Sequence, residues 1–205
     1  MKQNHILQLD AKNAFTYQLP INPMIDLVDQ YLFEAKLLND YDCLLITEFV
    51  DQELLYRHRQ AILHFLNTQK IVIFCGQLFR DFIPGATLFM PKAIKAHQDY
   101  NLHITPESEI FKSVKIDELN YRRGVAGFNA RGYHRPAETA EIQLTFKSGE
   151  VVTYIDRTTT PGTILMHAGR NLFGYQGENK STDQISQNTL AWVNQEILKL
   201  KGKLK

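Results

Sequence analysis

Two cysteines in 205 residues are too few for a disulfide framework. Cys43 and Cys75 both lie in apolar, strand-like runs, which suits buried thiols in a reducing compartment, and no bridge between them is expected. Long apolar runs are missing as well. None approaches the roughly 18 residues of a membrane span, and Met1-Lys2-Gln3-Asn4 leads into a mixed polar segment rather than a signal-peptide core. A cytoplasmic location with no membrane partner is expected. Charge of one sign is not in excess: 23 basic against 22 acidic residues leave no global field to hold nucleic acid or an anionic surface. The basic run Lys199, Lys201, Lys203, Lys205 reads as a solvated helix end. Histidines are scattered without His-x-His or His-Glu-x-x-His spacing, so no metal ligands are assigned. Gly124-Val125-Ala126-Gly127 lacks both the lysine and the strand-to-helix setting of a phosphate loop, so no nucleotide and no other cofactor is expected. With no repeats and no shift in composition, residues 1–205 read as one α/β domain with a substantial core.

What the chain does contain is a succession of short apolar runs and helical patterns. His5 to Leu9 reads as a first strand ending at Asp10. Asn22 and Pro23 then open a helical pattern in which Met24, Leu27, Val28, Tyr31, Leu32 and Ala35 share one face. Tyr41 to Thr47 is a second strand. Asp51 caps a helix whose buried face is Leu54, Leu55, His58, Ala61, Ile62, Phe65 and Leu66. Lys70 to Cys75 is a continuous β-branched run, as a central strand covered on both faces should be. An irregular connection is expected from Phe82 to about Pro106. Glu141 to Phe146 and Val151 to Asp156 alternate apolar and polar residues about the turn Lys147-Ser148-Gly149-Glu150, which makes a β-hairpin. Thr163 to His167 is a further strand, and a final helix from about Ser186 to Leu200 buries Leu190, Trp192 or Val193, Ile197 and Leu200.

Tyr41-Asp42-Cys43-Leu44-Leu45-Ile46-Thr47, the helix after it and Lys70 to Gln77 carry a resemblance. So do Ala140 to Phe146 through Gly149, Tyr154-Ile155-Asp156, and Pro161-Gly162-Thr163-Ile164-Leu165-Met166-His167. In this order the chain resembles the class I glutamine amidotransferase-like superfamily, which also holds ThuA-like proteins and the trimerisation domain of some β-galactosidases. The resemblance implies a flavodoxin-like three-layer sandwich, a mostly parallel sheet with a late β-hairpin. Its catalytic branch flanks the cysteine with glycines two positions away and follows the late histidine with a glutamate two residues on. Here Cys75 is followed directly by Gly76, and His167 by Ala168-Gly169-Arg170-Asn171. Glutaminase activity is therefore not expected.

Crevices outside the carboxyl ends of parallel strands are where such sheets bind ligands, which puts Cys75 at a predicted mouth. One reading is a binding protein for a small anionic or carbohydrate-like ligand. Gly76, Arg80, Asn129, Arg131, His134, Arg170 and Asn171 are its candidate binding residues, because guanidinium groups match carboxylate or phosphate in bidentate fashion. A second is a hydrolase or acyl-transfer enzyme in which Cys75 attacks, His167 takes the proton and N–H groups near Gly76 hold the oxyanion. For each residue a bland role competes: a buried apolar thiol for Cys75, a loop-bonded ring for His167, solvated charges for Arg131 and His134, and an ion pair with Asp81 or Asp51 for Arg80. A third reading is a self-association module forming a homo-oligomer. Asp10 and Glu48 each stand at a predicted strand end, and their part in the site stays open.

Overall fold

The computed structural model describes residues 5–12, 22–122, 124, 127 and 129–202. The segment Gly124-Val125-Ala126-Gly127 and Phe128 lie partly or wholly outside them. Eight strands form one sheet in the order β2 (Ile25–Asp29), β1 (Ile6–Asp10), β3 (Cys43–Ile46), β4 (Ile71–Cys75), β10 (Thr163–His167), β9 (Val151–Asp156), β8 (Glu141–Phe146), β6 (Leu102–Ile104). The pairings from β2 to β10 are parallel and those from β10 to β6 antiparallel. A short second sheet pairs β5 (Met90–Pro91) with β7 (Gly132–Tyr133). This is the expected three-layer α/β sandwich, mostly parallel, with its late hairpin.

Alternation along the buried strands divides the core in two, because successive side chains point to opposite faces. Cys43, Leu45, Ile71, Ile73, Cys75 and Leu165 meet Trp192, Val193 and Ile197 of the helix α4 (Gln184–Leu200) and Leu119 of α3 (Ile116–Asn120). Leu44, Ile46, Val72, Phe74, Ile164 and Met166 meet Leu55 of α1 (Gln52–Arg57) and Ile62, Phe65 and Leu66 of α2 (Arg59–Asn67). Continuous apolar runs such as Ile71–Cys75, buried at every position, follow from this double cover.

Three expectations need correction. The helix expected after Asn22 and Pro23 is instead strand β2 followed by 3-10 turns at Gln30–Leu32 and Ala35–Asp40. Asn22 does accept a hydrogen bond from Met24 N (2.9 Å), but its carbonyl also accepts from Ile25 N, which closes a turn instead of starting a helix. The five-residue parallel register from Ile6↔Ile25 to Asp10↔Asp29 then overrides the helical spacing of the apolar residues. The helix after Asp51 is capped as expected, with Oδ1 accepting from Glu53 N and Leu54 N, but it divides at His58 into α1 and α2. Within the expected irregular connection, Leu102–Ile104 joins the sheet as an edge strand.

Gly162 admits β10 to the sheet. A Cβ there would lie 2.2 Å from Lys70 O and 2.6 Å from Leu66 O, and both obstacles are backbone. Gly162→Ala is expected to destabilise the fold by about 1–3 kcal/mol, the usual cost of overpacking, read as a lowered urea midpoint. An unchanged midpoint would show that this approach is not tight.

Candidate functional site

β3, β4 and β10 end side by side, and the loops after them open a cleft of about 630 Å³. Glu48, Phe49 and Val50 follow β3, Gly76, Gln77, Phe79 and Arg80 follow β4, and Ala168, Gly169 and Arg170 follow β10. Asn129, Ala130 and Arg131 complete the lining, tied to the β10 loop by an isolated antiparallel bridge between Ala130 and Gly169. Glycine is required at that crossing, since a Cβ on Gly169 would lie 2.0 Å from Asn129 O. Gly76 has φ +141°, and a Cβ on it would press to 3.3 Å from Glu48 Cα, so it brings the ends of β3 and β4 together.

Side-chain clamps fix the first wall. Gln52 donates to Gln77 O (2.7 Å) and accepts from Phe79 N (2.7 Å) and Arg80 N (3.2 Å). Arg80 pairs with Glu53, not with Asp51 or Asp81, and lies 5.3 Å from the Tyr56 ring centroid. Phe49 and Phe79 are left 62% and 59% exposed on the cleft, apolar rings in a place where solvent-facing polar residues are usual. Phe49 also has φ 75°, a left-handed conformation that is a true outlier for a bulky side chain. Such strain costs on the order of 1–3 kcal/mol and concentrates at functional sites.

Three acidic residues line the cleft: Asp51, which caps α1, Glu53, which pairs with Arg80, and Glu48. The Oε2 of Glu48 accepts from Asn171 N at 2.9 Å. Burial pushes its carboxyl above the ordinary range, against the pull of that hydrogen bond and of the Arg170 charge. Arg131 is exposed, with its guanidinium 5.7 Å from the Tyr100 ring centroid.

The residues expected at the site thus fall into two groups. Gly76, Arg80, Asn129, Arg131 and Arg170 line the cleft. Asn129 is also structural: its amide donates to Leu119 O and its Oδ1 accepts from Tyr175 OH (2.8 Å). Asn171 contributes its backbone N–H to Glu48, while its side chain caps the 3-10 turn at Leu172–Gly174 by accepting from Phe173 N (3.0 Å). Cys75, His134 and His167 do not line the cleft; each is at most 1% exposed. Burial pushes the Cys75 thiol up, with a hydrogen bond from the Leu172 backbone opposing it, which is the reverse of what a nucleophile needs. His167 sits beside Cys75 in the β10–β4 register, but its Nδ1 is hydrogen-bonded to Thr153 Oγ1 at 2.7 Å. Both cysteines are free thiols. Among the described residues no group of three or more His, Cys, Asp or Glu is placed to hold a metal ion, and no helix is long and apolar enough to cross a membrane.

Glu48, Phe49 and Phe79 carried no assignment from the sequence. The position of Glu48 just past a parallel strand was the available signal. Nothing in the residue order marks an exposed Phe as different from a core one.

In comparisons with known proteins, no family model matches the chain and no curated protein matches it. Among solved structures, an exo-β-1,4-mannosidase, Op5Man5 from Opitutaceae bacterium strain TAV5, is similar at 11% identity with a TM-score of 0.44. The likeness covers 98% of this chain and 36% of that one, so the chain spans about a third of the mannosidase's length. At that TM-score it carries no argument about fold or activity.

The buried histidines do make a measurable demand. Burial lowers His134 to about 4 and His167 to about 3 from 6.5, the charge of His134 adding to the effect on His167. Both rings stay neutral in the folded chain while the unfolded chain takes up protons below about pH 6.5. Stability is therefore whole above that pH and falls as the pH drops towards 4 and 3, by up to about 2 kcal/mol per histidine at about pH 5. His134 stacks edge-on between Phe74 and Phe89, at 6.4 and 5.9 Å, and neither ring nitrogen has a hydrogen-bond partner among the described residues. His134→Phe is expected to remove about half of the stability difference between about pH 7.5 and pH 5 in urea titrations. An undiminished difference would place the proton uptake elsewhere.

Proposed function

We propose that the chain is a small-molecule-binding protein of the class I glutamine amidotransferase-like fold, without glutaminase activity, whose ligand is anionic or carbohydrate-like and occupies the cleft at the ends of β3, β4 and β10. The observation that carries this reading is the cleft itself. About 630 Å³ lies within the range of small-molecule sites, and three arginines, three acidic residues of which Glu48 is half-buried, and two exposed aromatic rings line it. Parallel order through β2, β1, β3, β4 and β10, followed by an antiparallel hairpin, supports the superfamily resemblance. We place the protein in the cytoplasm, with neither nucleic acid nor membrane as partner.

The cysteine-hydrolase reading has less in its favour. Attack by Cys75 needs an accessible thiolate, and this thiol is sealed beneath the cleft with its proton held more tightly than in water. No observation favours a self-association module.

A thermal-shift screen of monosaccharides, sugar phosphates and small carboxylates tests the proposal. A ligand at a hundred times its Kd adds about 2.7 kcal/mol, and each kcal/mol raises Tm by about 2–4 °C in a chain of this size. At least one anionic compound is expected to raise Tm by several degrees in the wild type and to lose most of that shift in Arg131→Ala. A screen with no shift, or a full shift retained by Arg131→Ala, would contradict the assignment.

A further inference from the structure

We infer that Glu48 selects the ligand, and that the cleft takes a sugar acid, a compact ring bearing one carboxylate and several neutral hydroxyls. The inference rests on the binding reading above and narrows it.

Arg131 and Arg170 supply cations to the cleft and favour a planar carboxylate or a phosphate. Arg80 and Glu53, also in the lining, pair with each other, and Asp51 is turned to the N-terminus of α1 that it caps. Glu48, held beside Arg170, decides between carboxylate and phosphate. Its carboxyl lines the same cleft beside Arg170 and is fixed by Asn171 N–H. A dianionic phosphate brought between the arginines would meet that carboxylate at short range in a partly desolvated site, where like charges repel strongly. One carboxylate halves the penalty. A carboxylate side chain has about four acceptor positions, so after the bond from Asn171 capacity remains for hydroxyl donors. Hydroxyl is favoured over ammonium as that donor, because a compact ammonium is strongly hydrated and costly to strip. Phe49 and Phe79 give the cleft apolar ring faces suited to the C–H face of a sugar ring. Flexible acyclic acids have no such face to offer.

Isothermal titration with four probes tests this: D-glucuronate, D-glucuronamide, cyclohexanecarboxylate and β-alanine. D-glucuronate is expected to bind at least about tenfold more tightly than the other three, which lack the carboxylate, the hydroxyls or the sugar ring. Glu48→Gln keeps an oxygen for Asn171 N–H; it should weaken D-glucuronate about tenfold through the lost hydroxyl bonds, while cyclohexanecarboxylate, relieved of the Glu48 charge, should bind at least as tightly as in the wild type. Tenfold is about 1.4 kcal/mol, close to the lower end of what one hydrogen bond to a charged group contributes. If cyclohexanecarboxylate or β-alanine binds as tightly as D-glucuronate, or Glu48→Gln leaves D-glucuronate unchanged, the sugar-acid inference falls while the cleft assignment stands. If no anion among the four binds and the broader screen is also empty, both fall. Should Glu48→Gln not fold, the four-probe ranking in the wild type decides alone.

Discussion

The parallel pairing of β4 with β10 is the contact on which the rest of the site depends. It aligns Thr163 with Ile71 and His167 with Cys75, bringing together segments that the chain separates by the whole of β5 to β9. Beyond the strands the pairing continues as Gly76 N to His167 O at 2.9 Å, and the loop after β10 reaches the end of β3 through Asn171 N to Glu48 Oε2. Without this junction the two arginine-bearing loops and the β3 carboxylate would share no cleft. Glycines make the junction close enough: Gly162 where β10 begins, Gly76 against Glu48, and Gly169 against Asn129.

Burial separates the chemistry of the mouth from what lies beneath it. Cys75 and His167 belong to the core layer facing α4, where desolvation disfavours both thiolate and imidazolium. Glu48, one layer nearer solvent, keeps a fixed orientation and a partial desolvation that raises its affinity for protons and hydrogen-bond donors. The proposed binding role draws on the carboxylate held beside arginines, and the sealed thiol is what counts against attack by Cys75.

Most of the sheet was legible because its signals are local. Ile71–Cys75 is apolar throughout, the hairpin alternates, and Asp51 caps its helix as its position implies. β2 was not, because Ile25 and Val28 fit a helix face as well as a strand, and only pairing with β1 decides between them. Strand ends pointed to the mouth and to Gly76 and Arg170 in its lining, whereas Arg131 was drawn from the cation-bearing loop around Gly132. Depth was the part that stayed hidden. Cys75 and Glu48 each stand at or just past a strand's carboxyl end, yet one faces α4 and the other the cleft, a difference set by pleat and loop path. His134, drawn from a polar-looking loop, is buried between two phenylalanine rings for the same reason.

The most direct measurement is a ¹H–¹⁵N amide chemical-shift map of the native protein titrated with D-glucuronate. Saturable shifts confined to Glu48, Phe49, Gly76, Phe79, Ala130, Arg131, Gly169, Arg170 and Asn171 are the predicted result, with the amides of β2 and β6 unmoved. Shifts centred elsewhere on the molecule would show that the cleft at the ends of β3, β4 and β10 is not where this protein receives its ligand.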